Sequence, residues 1–565
     1  MEAGDSVESA AVRRRLPTTT PKPIPIVAGV VALALFWLTR PIWHGIVMFF
    51  WTAPLAWLPP IAAIAGGVYM FRRSRRGWKT LDDLREGVRP PNWLIGFPIA
   101  AFLLFIFGGA LQAPLVERAM YKATDYESIS GLPPGGRVRL VPREVAEQNA
   151  ASAFNSPTER LTDFRIVNTP QGLRWTALRT PQGAFRVFNR KSQGLVVLDA
   201  QQTARSLRQV DAELKYAPGV QITDNLRWRL LKRRYLIKLE DPVGIETRGG
   251  PRIIVPYLEY KGILIRRPVL GGVFVVAPNG AIEDLEPREA ARRPEIAGTG
   301  RLFPDTQARR IHDAYQYNRG LWNAWFVHEN QTQITDTELN RQPYLIHFAG
   351  RLGPQWVTVA EPYGRGFAAS AIFLTDAVTG HTRIWRVPRR TSLSGNRRAL
   401  QAVRAVSIPG VDFGDGSPGS GNFRVVEPRP VFVKGRVVYL TSIIPNSANA
   451  VSKTVVVDAE TNKLVAIFDN DRDPQAEAKT LRYVETGEVP DEAAAPGSGA
   501  STDNARAQGG TTTGGTTSTP APTPAPAGNS ARDVQRRLDD VIRRQRELLR
   551  DVEELREALG RQRGG

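Results

Sequence analysis

Three apolar stretches fall within the first 115 residues of a 565-residue chain, and they constrain everything downstream. They are Pro23–Thr39, about Pro54–Phe71, and Trp93–Leu115. A bilayer core takes roughly 20 apolar residues as helix, with a lower limit near 17. The third stretch meets that requirement outright. The first two are short, and Arg40–Trp51 between them is itself mostly apolar. Pro54, Pro59 and Pro60 interrupt any single helix through the region. The expectation is two spans joined by a short interfacial turn, with one long irregular span as the alternative. Arg40 and His44 then sit in the outer turn and touch water, rather than serving as intramembrane groups. A cleaved signal peptide would use Arg13, Arg14 and Arg15 followed by Val27–Leu38, but no small-x-small site follows, so an uncleaved anchor is expected.

Orientation comes from the loop Arg72–Pro90. It carries Arg72, Arg73, Arg75, Arg76, Lys79, Arg85 and Arg89 against Asp82, Asp83 and Glu86. Positive loops stay cytoplasmic, which puts everything after Leu115 on the other side of the membrane. The expected plan is a basic cytoplasmic tail at 1–23, a membrane region at 24–115 with about three transmembrane spans, and an extracytoplasmic domain at 116–489. The localisation that follows is a multi-pass membrane protein whose large domain and C-terminus are extracytoplasmic.

Beyond the membrane region one hairpin recurs. TVVVDAETNKLVAIF, Thr454 to Phe468, turns at Asp458-Ala459-x-Thr461-Asn462. Asp376-Ala377-x-Thr379-Gly380 has the same design, Asp199-Ala200 repeats its first half, and Asn279-Gly280 marks a shorter variant. Asn and Gly suit the place because a tight hairpin needs positive φ. The Asp caps the turn with its own backbone, so no catalytic role is required. Upstream of the Asp-Ala corners lie WTALRTP, WVTVAEP and YLTSIIP, each with an aromatic six residues before a proline. Helical patterns precede them: VPREVAEQNAASAF, FPDTQARRIHDAYQY and NRRALQAVRAV. EPREAARR, Glu286 to Arg293, repeats the Pro-Arg-Glu of residues 142–144. The implied fold class is α+β, built of three or four tandem helix-plus-antiparallel-sheet modules behind N-terminal transmembrane helices.

A helix opening Pro-x-Glu-x-Ala followed by strands and a Val-Asp-Ala-x-Thr-Gly-type hairpin resembles the PepSY-type module of bacterial envelope proteins. The match is best over Val431–Phe468 and Pro142–Phe154, and poor in the second unit, which lacks the Asp-Ala pair. The resemblance implies an extracytoplasmic binding or regulatory module on a membrane anchor, with no catalytic residues.

After a closing helix expected within DNDRDPQAEAKTLRYVETG, residues 490–529 are rich in Gly, Thr, Ala, Ser and Pro, the composition of a flexible linker. The segment 530–560 carries heptad positions Val534, Leu538, Val541, Gln545, Leu548, Val552, Leu555 and Leu559, the pattern of an oligomerising coiled-coil helix. Ile542 and Leu549 widen the stripe and keep a lone amphipathic helix as the alternative.

The net charge is +20 and cysteine is absent. Such an excess suits anionic partners, an anionic envelope polymer or the lipid bilayer among them. No alternation of basic and aromatic residues marks specific nucleic-acid binding. An arginine-rich composition is the preferred explanation of the total. No Walker A loop, His-Glu-x-x-His or Gly-x-Ser-x-Gly elbow is present. Asp469–Asp473 alternates carboxylates, but Pro474 and Thr480 replace the Gly and Glu of a calcium loop. No cofactor, metal or catalytic residue is assigned. His312, His328, His347 and His381 fall in unrelated units, and His312 reads as a packed residue. Arg319, Trp322 and Trp325 have the character of partner-binding anchors, although a buried structural role is the preferred reading of the two tryptophans. The functional expectation is an extracytoplasmic binding, scaffold or regulatory protein of the bacterial cell envelope. The alternatives are an envelope enzyme or enzyme subunit acting on cell-wall polymer, and a transporter accessory subunit. A cleft gathering carboxylates would favour the enzyme, paired polar residues in the spans transport, and a groove lined by Trp and Arg binding.

Overall fold

The computed structural model describes residues 23–74, 92–183, 190–202, 207–221, 223–337, 341–364, 366–388, 390–414, 420–447 and 450–495. The basic tail, most of the charged loop before Pro91, nearly all of the Gly/Thr/Pro/Ala linker and the coiled-coil positions Val534 to Leu559 lie outside the described residues.

Helices α1 (Pro23–Thr52), α2 (Pro54–Ser74) and α3 (Asn92–Ala123) form the apolar N-terminal part. Two segments, Val27–Thr52 and Gly96–Ala123, are long and apolar enough to cross a membrane, and Pro54–Met70 is a shorter apolar helix. The expected turn at 40–51 is instead helical, because α1 runs on through Pro41 and stops at Ala53, just before Pro54. Helices α2 and α3 pair antiparallel. Gly108 faces the Leu55 carbonyl, where a Cβ would collide, and Gln112 Nε2 donates to Thr52 O at 3.1 Å. Arg40 and His44 do not sit in a watery turn. Arg40 Nη2 donates to Lys232 O at 2.5 Å, and His44 Nε2 lies 2.9 Å from Ile237 O, so both dock α1 on the folded domain. A polar side chain on an apolar helix needs such a partner, and the domain's backbone supplies it.

The domain is mixed α+β with several antiparallel sheets. Helix α4 (Arg143–Ala153) precedes the meander β1 (Glu159–Thr169), β2 (Gly172–Pro181), β3 (Ser192–Asp199) and β4 (Leu207–Leu214). Helix α5 (Leu226–Arg233) precedes β5 (Val243–Thr247), β6 (Gly250–Lys261), β7 (Arg267–Val276) and β8 (Ile282–Leu285). Helix α6 (Asp305–Ala314) precedes β9 (Tyr344–Phe348), β10 (Gly353–Pro362), β11 (Ala371–Asp376) and β12 (Thr382–Arg386). Helix α7 (Asn396–Ala405) precedes β13 (Phe423–Val433), β14 (Arg436–Pro445), β15 (Lys453–Asp458) and β16 (Leu464–Asp469), and α8 (Ala476–Thr486) closes the domain. Helices α4, α6 and α7 fall where the apolar periodicity predicts them and α8 falls in the expected closing segment, whereas α5 has no counterpart in the sequence reading.

One hydrogen-bond arrangement occurs three times. Strands β2, β10 and β14 each carry an aromatic at the fourth position and a proline at the tenth. The amides of Ala200, Ala377 and Ala459 donate to the second residue of those strands, at Leu173, Pro354 and Val437. Their carbonyls accept from the chain entering α4, α6 and α7, at Val141, Phe303 and Ser394. The aromatics then close the loop. Trp175 Nε1, Trp356 Nε1 and Tyr439 Oη donate to the carbonyls of those same entry residues, at 3.1, 2.8 and 2.7 Å. All three alanines are fully buried, which explains why the corner is Asp-Ala and not Asp-x. Asp376 and Asp458 each accept two following amides with one carboxylate oxygen, the turn capping expected of them.

The β5–β8 sheet departs from this plan. Its hairpin turns at Asn279-Gly280, and Tyr257 Oη donates instead to Asp284. Tyr439→Phe deletes one buried aromatic-to-carbonyl bond and leaves the Ser394 carbonyl unpaired. It is expected to destabilise the chain by about 1–2 kcal/mol in urea unfolding followed in detergent. A loss below about 0.3 kcal/mol would mean that the bond contributes nothing.

Candidate arginine cleft

Sequence order scatters the charges that the fold gathers. A cleft of about 1680 Å³ opens between the β1–β2 hairpin, the β5–β6 hairpin and the segment Arg292–Thr299. Six arginines line it: Arg137, Arg174, Arg208, Arg248, Arg292 and Arg293, against Glu246 and Glu295. Arg174 is held by Asp199, Arg208 by Glu246, and Arg293 by Glu283 and Glu289. Arg137, Arg248 and Arg292 are exposed and make no ion pair with any described residue. The lining therefore carries a surplus of positive charge that its own carboxylates do not offset.

The wall is built by local rules. Thr169 and Thr247 Oγ1 donate to Gly172 O and Gly250 O, closing the two hairpin turns that present the rim. Thr176 and Thr299 hydroxyls donate to Arg165 O and Ile296 O. All four hydroxyls are thus committed to backbone, and none is aimed at a base. Asn168 ties the cleft shut at its floor, donating from its amide to Thr299 O and from Nδ2 to Gly298 O. Two buried polar atoms in the lining have no protein partner, Asn168 Oδ1 and His347 Nδ1. His347 pairs through its backbone with Arg137. Burial, helped by the Arg137 charge, pushes its imidazole below the ordinary value, so it is neutral at physiological pH and the cleft's charge comes from arginine alone.

Arg319, Trp322 and Trp325 do not belong to this cleft. They share one exposed turn, Asn323–Val327 being a π-helical segment. Arg319 is paired with Glu329 at 2.6 Å, and Trp322 is 71% exposed, which overturns the preferred buried reading of the tryptophans. Among the described residues no group of three or more His, Cys, Asp or Glu is placed to hold a metal ion. The alternating carboxylates after β16 are spent on neighbours: Asp469 on Lys453, Asp471 on Ser452 and Asp473 on Lys479. Sequence reading missed the cleft because its arginines are separated by tens of residues. The visible signal was the placement of Arg174 and Arg248 beside hairpin turns.

Compared with known proteins, the chain matches no family model, no curated protein and no solved structure.

His312 is a buried titratable group with both ring nitrogens partnered. Its ring nitrogens meet Thr358 and Thr375 hydroxyls at 2.9 and 2.8 Å, and the ring stacks on Phe373. Burial, with the nearby Arg309 charge, pushes its pKa down to about 3. The unfolded chain takes up a proton near pH 6.5 that the native chain refuses. This contribution to stability is complete above that pH and is lost as pH falls, at roughly 1.4 kcal/mol per pH unit. His312→Gln keeps hydrogen-bonding capacity and removes the titration. Its stability should therefore fall by about 2 kcal/mol less than that of the parent between pH 6.5 and 5, measured by urea unfolding. Equal pH slopes would contradict this assignment.

Proposed function

We propose that this chain is a membrane-anchored binding or scaffold protein of the bacterial envelope, whose extracytoplasmic domain holds an extended anionic ligand in the arginine cleft. The observation that carries the reading is the group of three unpaired arginines, Arg137, Arg248 and Arg292, on the rim of a cleft whose paired arginines are already neutralised. Guanidinium groups suit phosphate and carboxylate because their planar donors match both oxygens. A cleft of this size has room for several units of a polymer.

The basic loop of residues 72–90 supports a cytoplasmic side for the α2–α3 connection and an extracytoplasmic side for the domain. The threefold recurrence of the Ala-centred bond pattern supports descent of these modules from one copied unit, with the β5–β8 sheet as a diverged member. The PepSY-like reading rests on the Pro142–Phe154 helix and the Val431–Phe468 strands. In this account the heptads of 530–560 supply oligomerisation.

Inorganic polyphosphate, with neutral dextran as the control, tests the cleft. The full chain in detergent should bind polyphosphate with an affinity that falls steeply with salt, and should ignore dextran. Arg248→Glu combined with Arg292→Glu should weaken binding at least about tenfold, a change of roughly 1.4 kcal/mol. Unchanged affinity in the double variant would remove the cleft from the account.

A further inference from the structure

Beyond Ala123, most of the large apolar side chains that the described residues leave exposed lie on three short segments, and each segment is tied to an N-terminal helix. Leu236 stands between Tyr235, whose hydroxyl donates to Arg40 O, and Ile237, whose carbonyl meets His44. The β6–β7 hairpin tip exposes Ile263 by 84% and Leu264 by 48%, and its Arg266 lies 3.5 Å over the ring of Trp51 in α1. The turn after Gly320 exposes Trp322 and Phe326 by 71% and 63%, and Gly320 abuts the Arg118 guanidinium of α3.

Levels along the helices agree for the last two segments, whereas Leu236 meets α1 at Arg40 and His44, eight or more residues before Thr52. Gln112 of α3 bonds to the last residue of α1, Thr52, so Trp51 and the hairpin tip stand beside Gln112. Arg118 is six residues further along, about 9 Å at helical rise. From Val116 onward α3 packs into the domain, with Tyr121 on Tyr315 and Gln316 donating to Glu117. The tip and the tryptophan turn therefore flank the stretch where α3 passes from an exposed apolar helix into the domain. Arg118 and Arg267, which make no ion pair with any described residue, border the same level and suit anionic headgroups. Patches of exposed Trp, Phe and Ile rimmed by arginine are the composition of a membrane interface.

We propose that the hairpin tip Ile263–Leu264 and the turn Trp322–Val327 are seated in the lipid interface on either side of α3, so that the domain is fixed against the bilayer and cannot swing on its helices. This rests on the membrane-anchored reading above. The occupant is lipid because the patch is continuous with the apolar surface of α1 and α3, and not a separate groove.

The chain has no cysteine, so one introduced thiol is labelled alone. The full-length chain is placed in nanodiscs of phosphatidylethanolamine and phosphatidylglycerol, with a fluorophore at Ile263→Cys, Leu264→Cys, Trp322→Cys or Phe326→Cys. Glu460→Cys serves as the distant control and Phe105→Cys as the marker in α3. The proposal expects the four test positions to be quenched several-fold more by headgroup-linked nitroxide than by aqueous iodide, and Glu460→Cys to show the reverse. Iodide-accessible test positions with a lipid-quenched Phe105→Cys would overturn the proposal while leaving the anchor intact. An iodide-accessible Phe105→Cys would overturn the membrane reading itself. Test positions shielded from both quenchers would show a protein partner on the patch and would equally overturn it.

Discussion

A guanidinium taken out of water must be paired and hydrogen-bonded, and that requirement holds three of the sheets together. Arg429 in β13 is fully buried. It donates to Leu140 O at 3.1 Å and Ser442 Oγ at 2.8 Å, with Glu427 at 3.8 Å. Glu427 also takes Arg139 at 3.0 Å, and the Arg139 guanidinium lies over the rings of Trp175 and Tyr344. The four residues Arg139, Leu140, Glu427 and Arg429 thus bind β13 to the strap that descends from α3. Burial pushes Arg429 down only to about 10, so it stays charged at neutral pH. Removing one member of such a cluster leaves an uncompensated buried charge, which typically costs about 3–5 kcal/mol. The strap itself touches each neighbour in turn. Gly135 donates to Phe432 O, Arg137 bridges His347, and Leu140 and Val141 donate to Ala200 O. Sheets β1–β4, β9–β12 and β13–β16 share this one short length of chain.

The strap also explains how the repeated bond pattern is used. Arg139-Leu140-Val141-Pro142 and Arg301-Leu302-Phe303-Pro304 are the same entry segment written twice, and each arginine stacks over the pinned tryptophan of its own unit, at 5.1 and 4.8 Å. Each then reaches outside its unit, Arg139 to Glu427 and Arg301 to Ile166 O. A device that closes one module is reused to join it to the next. A bulge carries one receiving end, Glu427. Asp163 and Glu427 both take positive φ at a register shift in the first strand of their sheets, with an arginine two residues later. A bulge re-aims a side chain at modest cost, which suits a residue that must face a neighbouring sheet. Where the β5–β8 sheet departs from the pattern, its first hairpin forms one wall of the arginine cleft.

Much of this architecture was written in short-range sequence. The Asp-Ala corners, the aromatic six residues before a proline and the apolar stripes of α4, α6 and α7 depend on neighbours in the chain, and local rules find them. The Arg-Leu-x-Pro entry was equally visible and went unread, because a two-copy tetrapeptide gains meaning only when both tryptophans are seen beneath it. The cleft was not legible in the same way. Arg137, Arg174, Arg208, Arg248 and Arg292 lie in five segments that only tertiary pairing brings together. Arg40 and His44 failed for one shared reason. Each was assigned from the chemistry of its own segment, whereas its surroundings are set by a helix or a domain surface nearly 200 residues away in the chain.

The strap from Leu132 to Val141 is a structural member of three sheets and not a linker between the apolar helices and the domain. Native-state hydrogen exchange on the full chain in detergent reads this directly. The account predicts that the amides of Gly135, Arg137, Leu140 and Val141 exchange only as slowly as the central amides of β2, β10 and β14, through the same global opening. Strap amides that exchange by local fraying, orders of magnitude ahead of those strands, would contradict it.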